Sequence, residues 1–512
     1  MARNTGIKAI RTLIQRGELN TASAACRRRI DRADDPEARY LLAVITGQLG
    51  LYSESVALFE KALHDFPARS DVAYNYGIIL QSMGKTDDAI AQWTRATAMN
   101  PYHADAQFNL GRAYSDKKMW SEALAPCEAA AALTPENKTA LSNLGNVNFR
   151  LGRLTQAKYC FNLSVKIDPA YVRGWINLGL TELRGGDPGT AAALLRKAIA
   201  IDPENALAHF NRGQALLADG RLSEGFAELE WRRRYHKLPF PVAGQPPWTG
   251  EDPAGKTILL YGEQGQGDVI QFLRYAEPLA ERGARVAVSC HAGLVGIARR
   301  TRGVADATAY ADPPPAFDAY APLMSLPHLL GLEAFESIPP SPYLTPPEPA
   351  ALPGHGVRVG LVWAGNPEHD DDVNRSAALA DFRPLLDVAG ADFFALQVGE
   401  AAKQIAAAGM ADAVKDLGTG FRDFADTAAA IQGLDLLVSV DTAAAHLAGA
   451  IGKPIWLLLP RVSDWRWGRT GENTPWYPSM RMLRQTGQRD WGPVIGRLAA
   501  ELDDLVRRDG RA

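Results

Sequence analysis

Cysteine is scarce in this 512-residue chain: Cys26, Cys127, Cys160 and Cys290 are the four, and no two form a CxxC pair. That usage speaks for a reducing compartment and against a structural zinc site. Long apolar runs are also missing, since nowhere do 18 apolar residues follow one another. The opening MARNTGIKAIRTLIQRGELN has no apolar h-region, so a soluble, cytoplasmic protein without membrane insertion is expected. Neither sign of charge dominates. The net charge is −3 and charged residues make up 22%, which argues against a nucleic-acid partner and against disorder. Two short basic runs, Arg27 to Arg29 and Arg232 to Arg234, fall at helix ends, where cations oppose the helix dipole. Neither a GxGxxG nor a P-loop occurs in the glycine-rich stretches considered below.

What the chain does have is repetition. Gly77, Gly111, Gly145, Gly179 and Gly213 keep a 34-residue period, as do Pro67, Pro101, Pro135, Pro169 and Pro203. Ala89, Ala123, Ala157 and Ala191 recur in step, with Phe59, Trp93 and Phe161 among the large residues. Small residues let paired helices approach, large ones fill the groove, and the proline starts the turn to the next unit. The pattern is that of tetratricopeptide repeats, about five clear copies with degenerate ends. Such arrays stack into a superhelix whose concave face commonly holds an extended peptide. Asn109, Asn143 and Asn177, with Tyr74 and Asn75, are placed either to clamp a peptide backbone or to bond a neighbouring repeat.

From 235 to 255 the helical period fails among prolines, and Trp248 is expected to dock that linker. An α/β pattern follows, with strands at 257–261, 285–289, 305–310 and 319–322 and a helix at 269–282. After a proline-rich connection at 338–353 a second set begins: strands at 357–363 and 393–397, helices at 379–388, 401–408 and 424–432. The clearest stretch is 434–460, LDLLVSVDTAAAHLAGAIGKPIWLLLP, a strand–turn–helix–strand unit of a parallel sheet. The predicted architecture is a helical superhelix over 1–234, then two Rossmann-like lobes at 235–350 and 351–490. A helix within 491–512 is expected to cross back over the first lobe.

Ligands of open parallel sheets sit beyond the carboxyl ends of the strands, where helix N-termini receive anions. Three stretches fall there. Gly265, Gly267 and Asp268 follow the first strand; Asp268 is placed either as a general base or as a helix N-cap. Gly365, Asn366, His369 and Arg375 lie in a polar loop after the 357–363 strand, with Arg375 able to clamp phosphate oxygens. The acids at 370–372 read better as a solvated loop than as a metal site. Asp441, Thr442 and His446 open the alanine-rich helix, whose free backbone N–H groups suit a diphosphate. A fourth group, Trp456, Trp465, Trp467, Trp476 and Trp491 with Arg466, Tyr477, Arg481 and Arg484, serves either packing or the stacking of a sugar or base.

Five of these motifs, EQGQGD, GLVWAGNPEHDDDVNRSAAL, LDLLVSVDTAAAHLAGAIGKPIWLLLP, DWRWGR and PWYPSMRMLRQ, resemble one bacterial group. It is the tetratricopeptide-repeat glycosyltransferases whose catalytic part is similar to the heptosyltransferases of family 9. The resemblance runs from about Trp248 onward. It implies a GT-B fold, an inverting mechanism, no essential metal or cofactor, and a nucleotide sugar as co-substrate. Carried over residue by residue, it makes Asp268 the base and Arg375 the cation that neutralises the donor diphosphate. It places Gly265, Gly267, Gly365, Asn366, Asp441, Thr442 and His446 around the donor, with Gln397 and Thr427 nearer the nucleotide. The repeats and the aromatic tail depart from plain heptosyltransferases. They favour transfer to Ser or Thr of a protein acceptor held by the repeats, flagellin being a candidate. The alternatives are a lipopolysaccharide or polysaccharide acceptor, or an inactive interaction scaffold.

Overall fold

The structure, a computed structural model, describes residues 6–236, 245–263, 265–369, 371–487 and 489–509. Tight contacts divide the chain into two units: 1–182 with 200–202, and 183–199 with 203–512.

The first unit is a row of antiparallel helix pairs, among them Ser70–Ser82 with Thr86–Met99 and Ala104–Asp116 with Trp120–Leu133. The periodic glycines explain the pairing. A Cβ at Gly77 would lie 2.5 Å from the Trp93 indole, and one at Gly145 would lie 2.6 Å from the Phe161 ring. The large residue of the second helix therefore occupies the room left on the first. Asn75, Asn109 and Asn177 bond the neighbouring repeat. Asn75 Nδ2 donates to Tyr40 Oη at 2.8 Å and Asn109 Nδ2 to Tyr74 Oη at 3.3 Å.

The second unit holds two sheets with parallel strands and flanking helices. In the first, β1 (Thr257–Tyr261), β2 (Arg285–Cys290), β3 (Val304–Ala309) and β4 (Ala319–Pro322) run in the order β3-β2-β1-β4. The second comprises β5 (Val357–Val362), β6 (Ala391–Ala395), β7 (Val414–Asp416), β8 (Leu436–Val440), β9 (Ile455–Leu459) and β10 (Met480–Arg484). Its order is β10-β9-β8-β5-β6-β7, so the connectivity reverses between β5 and β8. The 434–460 stretch forms its predicted strands around the helix Ala443–Ile451. Three expected helices break into shorter turns, the one at 401–408 into a 3-10 turn, Glu400–Lys403, and Gln404–Ala407. At 379–388 a 3-10 turn precedes Arg383–Leu386, which has proline in its first turn. At 269–282 the chain forms Gln266–Phe272, a 3-10 turn and Ala276–Glu281.

Two domain expectations are corrected. The terminal helix Gly492–Asp509 does not cross back over the first sheet. Its buried stripe of Val494, Ile495, Leu498, Leu502 and Val506 joins Val359, Leu361, Phe382 and Leu385 in a core belonging to the second sheet. Nor does the helical part separate at 234. Leu217, Leu222, Phe226 and Leu229, from the helices Ala206–Ala218 and Leu222–Leu229, share one core with Ile258, Ile270, Phe272 and Trp465. Trp248 is docked as expected, its backbone N–H bonded to Tyr320 O at 2.8 Å. The rest of that linker, 237–244, lies outside the described residues.

Arg232 fastens the same junction and is no helix-end surface cation. Fully buried, it donates to Glu263 Oε2 at 2.6 Å, Glu230 Oε1 at 2.7 Å and Ser325 Oγ at 2.8 Å. Removing one member of such a set strands a buried charge. Phe226 meets Phe272 and Trp465 edge-on at 6.3 and 5.7 Å. Phe226→Ala should therefore cost about 3–5 kcal/mol, read as a lowered midpoint in urea unfolding of the full chain.

Candidate functional site

The turn after β1 and the turn after β8 meet. The helix Gln266–Phe272 starts at Gly265, with Asp268 in its first turn, so Asp268 is not the N-cap. The helix Ala443–Ile451 starts at Thr442. A Cβ on Gly267 would lie 2.9 Å from His446 Cδ2, and His446 is 5% exposed. Glycine is thus what lets the two helix starts touch. Beside them opens a cleft of about 1450 Å³, which residues 364–369, 372, 375 and 376 after β5 also line. The residues carried over by the resemblance all border it: Gly265, Gly267, Asp268, Gly365, Asn366, Arg375, Gln397, Thr427, Asp441, Thr442 and His446.

Their side chains do different things. Asp268 lies on the cleft wall with its carboxylate paired to Arg466. Burial pushes its pKa up, and the Arg466 charge opposes that rise. Asp441 is likewise raised by burial, then by Asp464, with Arg375 and Arg466 acting against it. His446 is held well below the ordinary imidazole range by burial and by Arg466, Arg274 and Arg375. It is therefore neutral, shares a hydrogen bond of 3.0 Å with Tyr477 Oη, and stands 3.9 Å from Asp441. This arrangement gives the imidazole a spacer's task between the two turns.

Thr442 makes no side-chain cap; its hydroxyl lies 3.0 Å from Ser439 Oγ. The first turn of the 443–451 helix thus carries backbone N–H groups without a side-chain cap, at the reversal point of the second sheet. Arg375 ends the short helix Asp372–Arg375 and packs over Gly365, whose Cβ, if present, would sit 2.7 Å from Nη2. Among the described residues its ion-pair partner is Asp372, at 3.4 Å. An uncapped helix start near a cation is suited to an anion.

Two candidates are structural. Gln397 Oε1 accepts from Trp363 N and Ala364 N at 3.1 and 2.9 Å, and Nε2 donates to Ala364 O and Val398 O, both at 3.1 Å. Its amide is spent holding the ends of β5 and β6 together. The Thr427 hydroxyl turns back to Asp423 O at 3.4 Å. Asn366 Oδ1 accepts from Glu368 N at 3.1 Å and shapes the loop. Of the acids at 370–372, Asp370 lies outside the described residues, while Asp372 accepts from Ser376 Oγ at 2.7 Å.

The aromatic tail is mostly packing. Trp467, Trp476, Tyr477 and Trp491 are buried, and Arg481 pairs with Glu472 and Glu501. The exception is Trp465-Arg466, which lines the cleft. The pairing of Arg466 with Asp268 escaped the sequence reading, because no pattern links positions so far apart. Phe210, Gln214 and Leu229, from the last helix pair, also reach the cleft and carried no motif.

Residues 74–137, 139–171 and 176–231 match the family described as Tetratricopeptide repeat, so the N-terminal helical array is built of such repeats. A curated relative, Protein FlbA of Caulobacter vibrioides, is 29% identical over 346 residues. The match takes in 59% of this chain and 56% of the relative, so the chain spans about half the length of that protein. Among solved structures, YrrB, titled a TPR protein with an unusual peptide-binding site, is 21% identical with a TM-score of 0.32. It covers 35% of this chain and 92% of its own. Pseudomonas aeruginosa PilF is 18% identical with a TM-score of 0.35, covering 40% of this chain and 92% of its own.

Gly267→Ala should force the helix starts apart, because the neighbouring imidazole is fixed by Tyr477 on its far side. A loss of about 1–3 kcal/mol is expected, measurable by thermal unfolding.

Proposed function

We propose that the chain is an inverting glycosyltransferase that moves a sugar from a nucleotide-sugar donor to a Ser or Thr hydroxyl of a protein acceptor. The observation that carries this reading is the convergence, in one cleft, of a carboxylate on the first lobe with an anion-suited helix start and Arg375 on the second. Two parallel sheets whose strands end at a shared cleft are what a GT-B enzyme requires. Tetratricopeptide repeats commonly hold extended polypeptide, which favours a protein acceptor, with flagellin the candidate that the motif resemblance suggests.

In this reading Asp268 takes the proton of the acceptor hydroxyl. The hydroxyl oxygen forms its bond to the anomeric carbon as the bond from that carbon to the donor phosphate oxygen breaks. The electron pair leaves with the phosphate. Backbone N–H groups at Ala443 and Ala444, with the Arg375 guanidinium, receive the growing negative charge. Loss of one such preorganised donor typically slows a reaction by ~100-fold or more. No step calls for a metal.

Thermal-shift measurements with ADP-, UDP-, GDP-, CDP- and CMP-linked sugars test the donor class directly. A clear rise in melting temperature with one nucleotide is expected; none with any of them would favour an interaction scaffold. With that donor, Asp268→Asn should abolish transfer and change nucleotide affinity by less than about 3-fold. Arg375→Ala should weaken nucleotide affinity by about 10-fold, near 1.4 kcal/mol, in calorimetry. A fully active Asp268→Asn enzyme would remove the base from the mechanism.

A further inference from the structure

Arg466 sits where the resemblance assigns nothing. It belongs to the turn Trp465–Trp467, capped by Asp464, whose carboxylate accepts from Arg466 N at 3.1 Å. The side chain is 9% exposed, and each guanidinium nitrogen has an acceptor. Nη1 donates to Asp464 Oδ1 at 2.8 Å, Nε to Gln271 Oε1 at 2.6 Å, and Nη2 to Asp268 Oδ1. Its Cζ lies 4.3 Å from the centre of the Trp465 ring, which Phe226 and Trp476 brace edge-on. Gln271 is fully buried, and its Nε2 has no partner among the described residues. Burying an amide with half its groups unmet is costly, so the position is kept for the oxygen that aims Arg466.

We propose that Arg466 is a positioning residue for Asp268: it reaches from the second lobe to the first, supplies the carboxylate's counter-charge and occupies Oδ1, leaving Oδ2 for the acceptor hydroxyl. The proposal rests on the reading of Asp268 as the base. A planar guanidinium held on three sides fixes direction as well as charge, which a lysine ammonium does not. Oδ2 lies beside Gly265, 3.0 Å from where a Cβ would stand. Among the described residues, the groups acting on Asp268 come from several elements. From the turn come Arg466 and Asp464, from the helical side Arg232, and from its own helix the Gly265 backbone. Across Gly267 stands the neutral His446. Burial pushes the Asp268 pKa up, the Arg466 charge beside it pulls it down, and Asp464 raises it further. The sign is therefore fixed: without the guanidinium, Asp268 takes up its proton at higher pH, and a base that is protonated does not act.

Infrared difference spectra of the full chain test this without donor or acceptor, so the outcome is independent of whether transfer occurs. The protonated-carboxyl band of Asp268 is assigned by its loss in Asp268→Asn and followed against pH. Arg466→Gln, of similar length but uncharged, should raise the midpoint by about 1–3 pH units, the usual effect of a neighbouring opposite charge. Arg466→Lys should raise it by less. An unchanged midpoint in Arg466→Gln, or equal rises in both variants, overturns the proposal. Should Arg466→Gln fail to fold by circular dichroism, Gln271→Leu decides, since it keeps the cation and removes only its aim. A raised midpoint there supports the positioning role, and an unchanged one overturns it.

Discussion

One absent side-chain atom governs the site. Because residue 267 carries no Cβ, the helix start after β1 lies against the helix start after β8, facing both the His446 imidazole and the Ala443 backbone. Everything else at the cleft is arranged around that approach. Asp268 is one residue further on the first helix, and Asp441 and Thr442 immediately precede the second. Tyr477 backs the imidazole and also packs on Gly449, where a Cβ would lie 2.5 Å from its ring. The small residues of AAAHLAGA are thus explained by contact from several directions, since the helix is buried from Ala445 to Ile451.

The buried charges follow a related logic. Arg232 and Arg466 are both withdrawn from solvent, and each is surrounded by carboxylates and neutral acceptors. A buried cation with well-placed acceptors is weak evidence for stability, but it specifies which surfaces face each other. Arg232 joins the last helices to the turn after β1 through Glu263, and Arg466 joins the 465–467 turn to Asp268. Glu263 and Asp268 are therefore each held by a cation that comes from elsewhere in the chain.

Much of this was legible in the sequence, and the rest was hidden for physical reasons. Periodicity revealed the repeats, because glycine and its large partner must recur together wherever two helices approach. Apolar runs ended by Asp441 or Gly262 revealed β8 and β1. Three-residue β7 is too short to leave a pattern, and β10 was concealed in the aromatic tail. The cleft's lining was anticipated well because its residues follow strand ends. What those residues do was anticipated less well: Gln397 looks polar and available in sequence, yet its four hydrogen bonds go to backbone on either side of it. The partnership of Arg466 with Asp268 depends on a long-range approach that local spacing does not encode. The expectation of a crossing tail treated the amphipathic face of Gly492–Asp509 as free to choose, whereas the second sheet already offered it a core.

The shared core of Leu217, Leu222, Phe226 and Leu229 with the first sheet bears on how such chains can be recombined. The proline-rich segment beyond residue 236 looks like a natural seam between modules, but a join made there would cut through one continuous apolar interior and leave Glu263 facing no cation. A transplantable two-sheet module must bring its last helices with it. Exchange of one helical array for another, in the laboratory or by gene fusion, is therefore confined to the repeats before that pair. Those outer repeats are free to diversify while the cleft keeps its own wall.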